Sequence, residues 1–139
     1  TVAAGSDRMG MRLDGPHLDH LRGYDITSDA IAPGSIQVPG NGKPIVLLAD
    51  RQTTGGYPKI ATVISADLPA LGRLPIGAKV AFEPVTIDVA VAARHKLLAE
   101  IAGIGGKIVP CTLTGANVTP RLLDNNLISG IVDGQGWTA

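Results

Sequence analysis

At 139 residues the chain has the length of one domain, enough to bury a core and short for two. Apolar residues make up 45% of it and aromatics only 3%, so Val, Ile, Leu and Ala must fill the interior, and Trp137, Tyr24, Tyr57 and Phe82 are too few for a stacking surface. Twelve basic residues balance twelve acidic ones, which leaves no footprint for a nucleic acid or an anionic membrane, and a lone Cys111 excludes a disulfide framework and a cysteine-rich metal site.

The expected location is the cytoplasm: a single cysteine fits a reducing compartment, no signal-peptide pattern opens the sequence, and no apolar run approaches the roughly 20 residues of a membrane helix. In chain order, Thr1 to Gly5 is a small-residue lead. Arg8 to Leu13 alternates like a strand, with Gly10 marking a bulge or a close backbone contact, and Asp14-Gly15-Pro16 ends it. His17 to Asp25 reads as loop or a short turn of helix. Pro33-Gly34 turns into Ser35 to Val38, a short alternating strand. Gly40-Asn41-Gly42-Lys43 carries an Asn-Gly pair suited to a tight type I′ hairpin, and Ile45 to Ala49 is the returning strand. That second run is apolar without alternation, which predicts a central strand covered on both faces.

Lys59 to Ser65 predicts a further strand. Ser65 is the expected N-cap of a short helix carrying Leu68, Leu71 and Leu74 on one side and ending near Pro75. Lys79 to Val85, with Phe82, alternates well enough for a strand. Ile87 to Ala102 should be the one long helix, with Asp88 near its positive end and Gly103, Gly105 and Gly106 stopping it. Lys107 to Leu113 is a strand candidate, and Leu122 to Val132 is left unassigned. The expected class is mainly β, a single domain over 1–139 with one longer and one short helix.

Between the central strand and the next one, Asp50-Arg51-Gln52-Thr53-Thr54-Gly55-Gly56-Tyr57-Pro58-Lys59 packs an acid, a guanidinium, an amide, two hydroxyls, two glycines and a lysine into ten residues. A plain turn needs far less. Gly-Gly permits close approach to the main chain, Arg51 and Lys59 suit a carboxylate, and Gln52 both donates to and accepts from an amide edge. The segment is read as a binding loop launched from a rigid strand. Ser6, Asp7 and Arg8 fit either a capped, solvent-facing start of a strand or a functional use. Gly103-Ile104-Gly105-Gly106-Lys107 resembles a phosphate loop but fails its spacing, since Ile101 stands where glycine is needed and Ile108 where Ser or Thr is needed. His17 and His20 lack a third ligand nearby and read as a solvated pair, and Cys111 after Pro110 reads as a small buried hydrophobe.

Asp7-Arg8-Met9-Gly10, Pro33 to Pro39, the run from Ile45 through Ile60, and Asn126-Leu127-Ile128-Ser129-Gly130 together resemble the allophanate hydrolase subunit 2 family, also called the biotin-dependent carboxyltransferase family. That family includes the C component of bacterial 5-oxoprolinase and the carboxyltransferase part of urea carboxylase. The resemblance implies a cyclophilin-like β-barrel, and implies that this chain corresponds to the C-terminal part of a longer carboxyltransferase-like domain, whose N-terminal half would complete any shared site. It does not imply an allophanate-hydrolysing amidase, since no Ser-Ser-Lys arrangement is visible.

Two classes of function follow from the resemblance. As an enzyme subunit, inactive alone, the chain would serve an ATP-dependent 5-oxoprolinase complex with two partners: subunit 1, similar to the B component of 5-oxoprolinase, and a lamB/YcsF-like A component. The variant reading is transfer of a carboxyl group to urea from biotin carried on a partner. As a binding protein it would act without turnover, as one relative does in antagonising a kinase inhibitor. The small amide ligand is expected against Asp7, Arg8, Arg51, Gln52, Thr53, Thr54, Gly55, Gly56, Tyr57 and Lys59. Gln52 would meet the amide, the amides of Gly55 and Gly56 an oxyanion, and Arg51 or Lys59 a carboxylate. No metal is expected, and no cofactor in this chain itself.

Overall fold

The apolar run beginning at Ile45 lies where its lack of alternation requires, inside a sheet. In the computed structural model, which describes residues 1–21 and 23–108, it forms β4 (Ile45–Leu47), flanked by β1 (Gly10–Arg12) and β3 (Ser35–Gln37). With β6 (Lys59–Thr62) the sheet order is β1-β4-β3-β6, antiparallel throughout. Ile36 and Met11 both stand opposite Val46, so three apolar side chains line up across one face. Val2, Leu13 and Leu71 complete this core, and Val46 is fully buried within it. A separate ribbon pairs β2 (Asp29–Ala30) with β5 (Thr54–Gly55). The chain divides into two compact units, Thr1–Ala102 and a second beginning at Gly103.

Several expectations change in detail. The β3–β4 hairpin forms, but its turn is the Pro39–Gly42 segment, closed by the Gly42 N–H on the Pro39 carbonyl (2.9 Å), not a two-residue Asn41-Gly42 turn. The reason is register: Gln37 pairs with Ile45, leaving seven residues between the strands, too many for type I′. Gly10 is no bulge. It pairs regularly with Leu47, and a Cβ there would come within 2.7 Å of Ile45 Cγ2, so it is the close-contact glycine. The bulge falls instead in β6, where the partners of Ile36 and Gln37 are Ala61 and Lys59 and Ile60 is extra.

The short helix, α1 (Leu68–Leu71), starts from Asp67 without a side-chain cap, not from Ser65, because Pro69 in its first turn already lacks the N–H a cap would satisfy. The 79–85 segment is not a strand. Val80 packs on the core, but Phe82 and Val85 are half exposed, and alternation without a pairing edge does not make a ladder. The long helix α2 is Ile87–Ala102 as expected, with Thr86 at its front accepting from the Val89 N–H (3.4 Å). Gly103 ends it, and Gly105–Lys107 follows as a 3₁₀ turn at the point where the sequence predicts the next strand to begin. The rest of that expected strand, Cys111, the 122–132 segment and the Asn126 motif lie outside the described residues.

The sheet does not close into a barrel among the described residues. Closure takes about eight tilted strands, and here four short ones leave β1 and β6 at opposite edges. What the fold shows is mainly β with two helices, one long. Among the described residues no helix is long and apolar enough to cross a membrane.

Candidate functional site

Strand alternation sorts the sheet residues onto two faces. Met11, Ile36 and Val46 occupy the core face, which leaves Gly10, Arg12, Gln37 and Ile45 on the other. Residues 50–59 bring the ribbon over that second face: the Ile31 N–H donates to the Thr53 carbonyl (2.9 Å) and the Ile26 N–H to the Gly56 carbonyl (2.8 Å). A Cβ on Gly55 would lie 2.7 Å from Ile31 Cδ1 and 3.1 Å from Gln37 Nε2, so only glycine lets the ribbon settle this close to Gln37. Gln37 is consequently buried to 2% exposure.

Beside Gln37 is a cavity of about 300 Å³, lined also by Asp7, Arg12, Asn41, Gln52 and Tyr57. Three expected site residues, Asp7, Gln52 and Tyr57, therefore meet in one place. Gln37 Nε2 makes no hydrogen bond among the described residues. An unmade buried hydrogen bond of this kind costs about 1–3 kcal/mol, so its retention calls for a reason. Sequence reasoning missed Gln37 because one polar residue in an alternating strand reads as facing solvent. The available signal was its company, since Ser35 and Gln37 share a face with a strand neighbour that has no polar side at all.

Asp7 is held in place by its own backbone surroundings. Its Oδ1 accepts from the N–H groups of Met9 (2.8 Å) and Gly10 (3.0 Å), while the Ser6 hydroxyl accepts from the Arg12 N–H (3.0 Å). The Ser6 to Arg8 segment is thus a capped start of β1 whose side chains also border clefts. Arg8 pairs with Asp50 through Nε (2.9 Å to Oδ2) and Nη2 (3.3 Å to Oδ1), and at 83% side-chain exposure this contact is worth little to stability.

Asp7, Arg8 and Arg51 also border a larger cleft of about 750 Å³ with an apolar floor that includes Met11, Leu48 and Leu68. Arg51 is half-buried, anchored by Nε on the Ile31 carbonyl (3.2 Å) and Nη1 on the Ala49 carbonyl (3.5 Å). Two carbonyls thus orient this guanidinium without pairing its charge.

Lys59 has a different task. Its ammonium donates to Asp29 Oδ2 and to the Ala30 carbonyl (2.9 Å), tying β2 to β6, and it lines neither cleft. Asp29 is held below its ordinary pKa of 3.8, first by that Lys59 hydrogen bond, then by the Ala30 N–H and the lysine charge. Thr53, Thr54 and Gly56 form the ribbon and line neither cleft. His20 approaches the Pro39 carbonyl (3.0 Å) and packs edge-on to Tyr24, while His17 lies over Gly42 and beside Asp19 (3.2 Å). These rings clasp the hairpin turn. No group of three metal-ligating side chains occurs among the described residues.

A small polar cavity beside a buried glutamine thus lies next to an apolar cleft bordered by arginine. Residues 1–84 match the carboxyltransferase domain, subdomain A and B, and the chain belongs to that family. It is 49% identical over 96 residues to the C subunit of the 5-oxoprolinase of Haemophilus influenzae, covering 69% of this chain and 31% of that protein. To the corresponding C subunit of the Escherichia coli 5-oxoprolinase it is 43% identical over 94 residues, 68% of this chain and 30% of the relative. A putative urea carboxylase of Emericella nidulans is 28% identical over 147 aligned positions, 95% of this chain and 12% of the relative. The chain thus spans less than a third of the length of these relatives.

Proposed function

We propose that this chain forms part of an ATP-dependent 5-oxoprolinase-type complex and supplies part of the site that holds the cyclic amide, 5-oxoproline, as it is opened to glutamate. The observation that carries this reading is the 49% identity to a protein named as the C subunit of a 5-oxoprolinase. In the reaction one water adds across the lactam C–N bond, its hydroxyl going to carbon and a proton to nitrogen, while ATP hydrolysis consumes a second water and drives the opening. The small cavity suits the lactam: Gln52 meets the amide, Tyr57 offers a hydroxyl, and Asp7 is a fixed acceptor. Arg51 is the cation for the carboxylate, and Lys59, committed to Asp29, is not. Gly55 and Gly56, the expected oxyanion donors, lie in the ribbon and line neither cleft, so they take no part in this reading.

ATP is consumed in the complete assembly, in the cytoplasm, where the partners are a subunit 1 of the B type and a lamB/YcsF-like protein of the A type. The four-stranded sheet is then one wall of a cyclophilin-like barrel. A second reading, carboxyl transfer to urea from biotin on a partner, draws on the Emericella nidulans match, and both substrates share the N–C=O unit. The deciding experiment is phosphate release by the assembled complex with 5-oxoproline, against urea plus a biotinylated carrier. Turnover of urea alone would replace the first reading by the second.

A further inference from the structure

We infer that Asp7 and Arg12 bind the two ends of the ligand's amide dipole, Asp7 taking the N–H and Arg12 the carbonyl oxygen. The inference rests on the reading that the small cavity takes a cyclic amide, and it adds the group that meets the oxygen. Asp7 and Arg12 both line that cavity and both are exposed, and Arg12 is its one cation among the described residues. Opposite charges bordering a cavity of about 300 Å³ attract each other, yet these two form no ion pair, whereas Arg8, Lys43 and Lys59 each meet an aspartate.

Local anchoring keeps them apart. Asp7 Oδ1 is held by the N–H groups of Met9 (2.8 Å) and Gly10 (3.0 Å). Arg12 is drawn back to Gly5: its Nε donates to the Gly5 carbonyl (3.0 Å), and its stem lies so close that a Cβ on Gly5 would come within 3.2 Å of Arg12 Cδ. Its main chain is fixed by Ser6, whose hydroxyl accepts from the Arg12 N–H (3.0 Å) and donates to the Arg12 carbonyl (3.3 Å). Each side chain is therefore oriented through one part and keeps another uncommitted, since Asp7 Oδ2 and both Nη groups of Arg12 make no hydrogen bond among the described residues. A carboxylate oxygen only accepts and a guanidinium only donates, so the complement of this pair is a group with a donor and an acceptor on neighbouring atoms, which is what N–C=O offers. A lactone ring has no N–H and would turn a second acceptor toward Asp7. Arg51 borders the neighbouring cleft and not this one, so the ligand's carboxylate and its carbonyl oxygen are met by different guanidinium groups.

The test is calorimetric binding to the full protein assembled with its partners, using 5-oxoproline, pyrrolidinone (the same lactam without the carboxylate), the five-membered lactone carboxylate, and urea. Arg12→Met should weaken 5-oxoproline and pyrrolidinone alike, by about tenfold or more, as expected for loss of a hydrogen bond to a charged group. Should that variant fail to fold, Arg12→Gln must show the same paired loss. Asp7→Asn keeps the Oδ1 acceptor for Met9 and Gly10 but replaces Oδ2 by a donor, so a parent preference for 5-oxoproline over the lactone of about tenfold should fall to one or invert. A loss confined to 5-oxoproline would make Arg12 a ligand of the carboxylate and overturn the inference. Unchanged binding of both lactams in Arg12→Met, a parent indifferent between lactam and lactone, an unchanged ratio in Asp7→Asn, or a parent that binds neither lactam nor urea would overturn it as well. A parent that turns over urea and not 5-oxoproline, and whose urea binding weakens in Arg12→Met, overturns only the 5-oxoprolinase reading.

Discussion

Gly34 and Gly77 share almost the same backbone conformation, φ +82° and +83°, yet differ in what surrounds them, so they separate backbone strain from packing. Alanine at Gly77 would meet nothing within 4 Å and carries only the penalty of the left-handed region, about 1 kcal/mol. Alanine at Gly34 carries the same penalty and also places its Cβ 2.9 Å from the Val63 carbonyl oxygen and 2.9 Å from Leu68 Cδ2. The leucine methyl can rotate away, but the carbonyl is main chain. Gly34 itself is clamped, donating to the Leu47 carbonyl (2.7 Å) and accepting from the Val63 N–H (2.9 Å). Relief of the contact therefore stretches at least one hydrogen bond worth about 0.5–1.5 kcal/mol and adds an overpacking cost of about 1–3 kcal/mol. The expected losses are about 1 kcal/mol for Gly77→Ala and about 2.5–5.5 kcal/mol for Gly34→Ala. Urea denaturation of both variants, at matched m-values, measures the difference. Equal losses would refute the reasoning, since the space around Gly34 would then have no energetic consequence.

Asp29 is stabilised as the anion by Lys59, so its contribution is fully present above the ordinary carboxylate pKa and is lost as pH falls through the depressed folded value, below 3.8. Lys59→Met should flatten that acid limb of the stability curve, measured by denaturation from pH 6 down to about 3, and a limb as steep as the parent's would contradict the pairing. Arg51→Ala in the assembled complex should cut 5-oxoproline turnover by about tenfold or more while costing about 1 kcal/mol of stability, because its two hydrogen bonds are to partly exposed carbonyls. Parent-like turnover would remove Arg51 from the site. The 139-residue chain alone should release no phosphate from ATP with 5-oxoproline or urea, since its phosphate-loop spacing fails at Ile101 and Ile108 and no biotin-attachment sequence surrounds its lysines. Turnover by the chain alone would show that it holds a complete site.

The parts of the fold that rest on uninterrupted pattern were legible. Ile45 onward is interior to the sheet because nothing in it tolerates water, and α2 has its expected bounds because its composition and following glycine leave no alternative. What depended on partners was not legible. The 79–85 segment alternates like a strand, but a ladder needs an edge to pair with, and periodicity carries no information about edges. The hairpin turn moved because register is set jointly by two strands, while an Asn-Gly pair speaks only for itself. The site shows the same division. That residues 50–59 were unusual could be read, and Asp7, Gln52 and Tyr57 do meet at one cavity. That Lys59 is consumed by Asp29, thirty residues earlier, and that Gln37 is buried beneath Gly55 are long-range facts.

Residues 50–59 thus hold two sets of polar groups with opposite demands. Lys59 and the paired backbone of Thr54–Gly55 must be satisfied within the protein, because an unsatisfied ribbon would lift from the sheet and expose Gln37 to water. Gln52 and Tyr57, with no side-chain hydrogen bond among the described residues, and Arg51, with part of its guanidinium uncommitted, are on the proposed reading the groups left for a ligand. Variants should follow this division. Changes at Lys59 or Gly55 move stability first and binding as a consequence, and changes at Gln52 or Arg51 move binding with little change in stability. Gln37 belongs to neither set, being buried like the first and unsatisfied like the second. Gln37→Met, which removes the unpartnered amide at nearly constant volume, should leave the melting temperature unchanged or raise it, and a clearly lowered one would show that the fold depends on the amide.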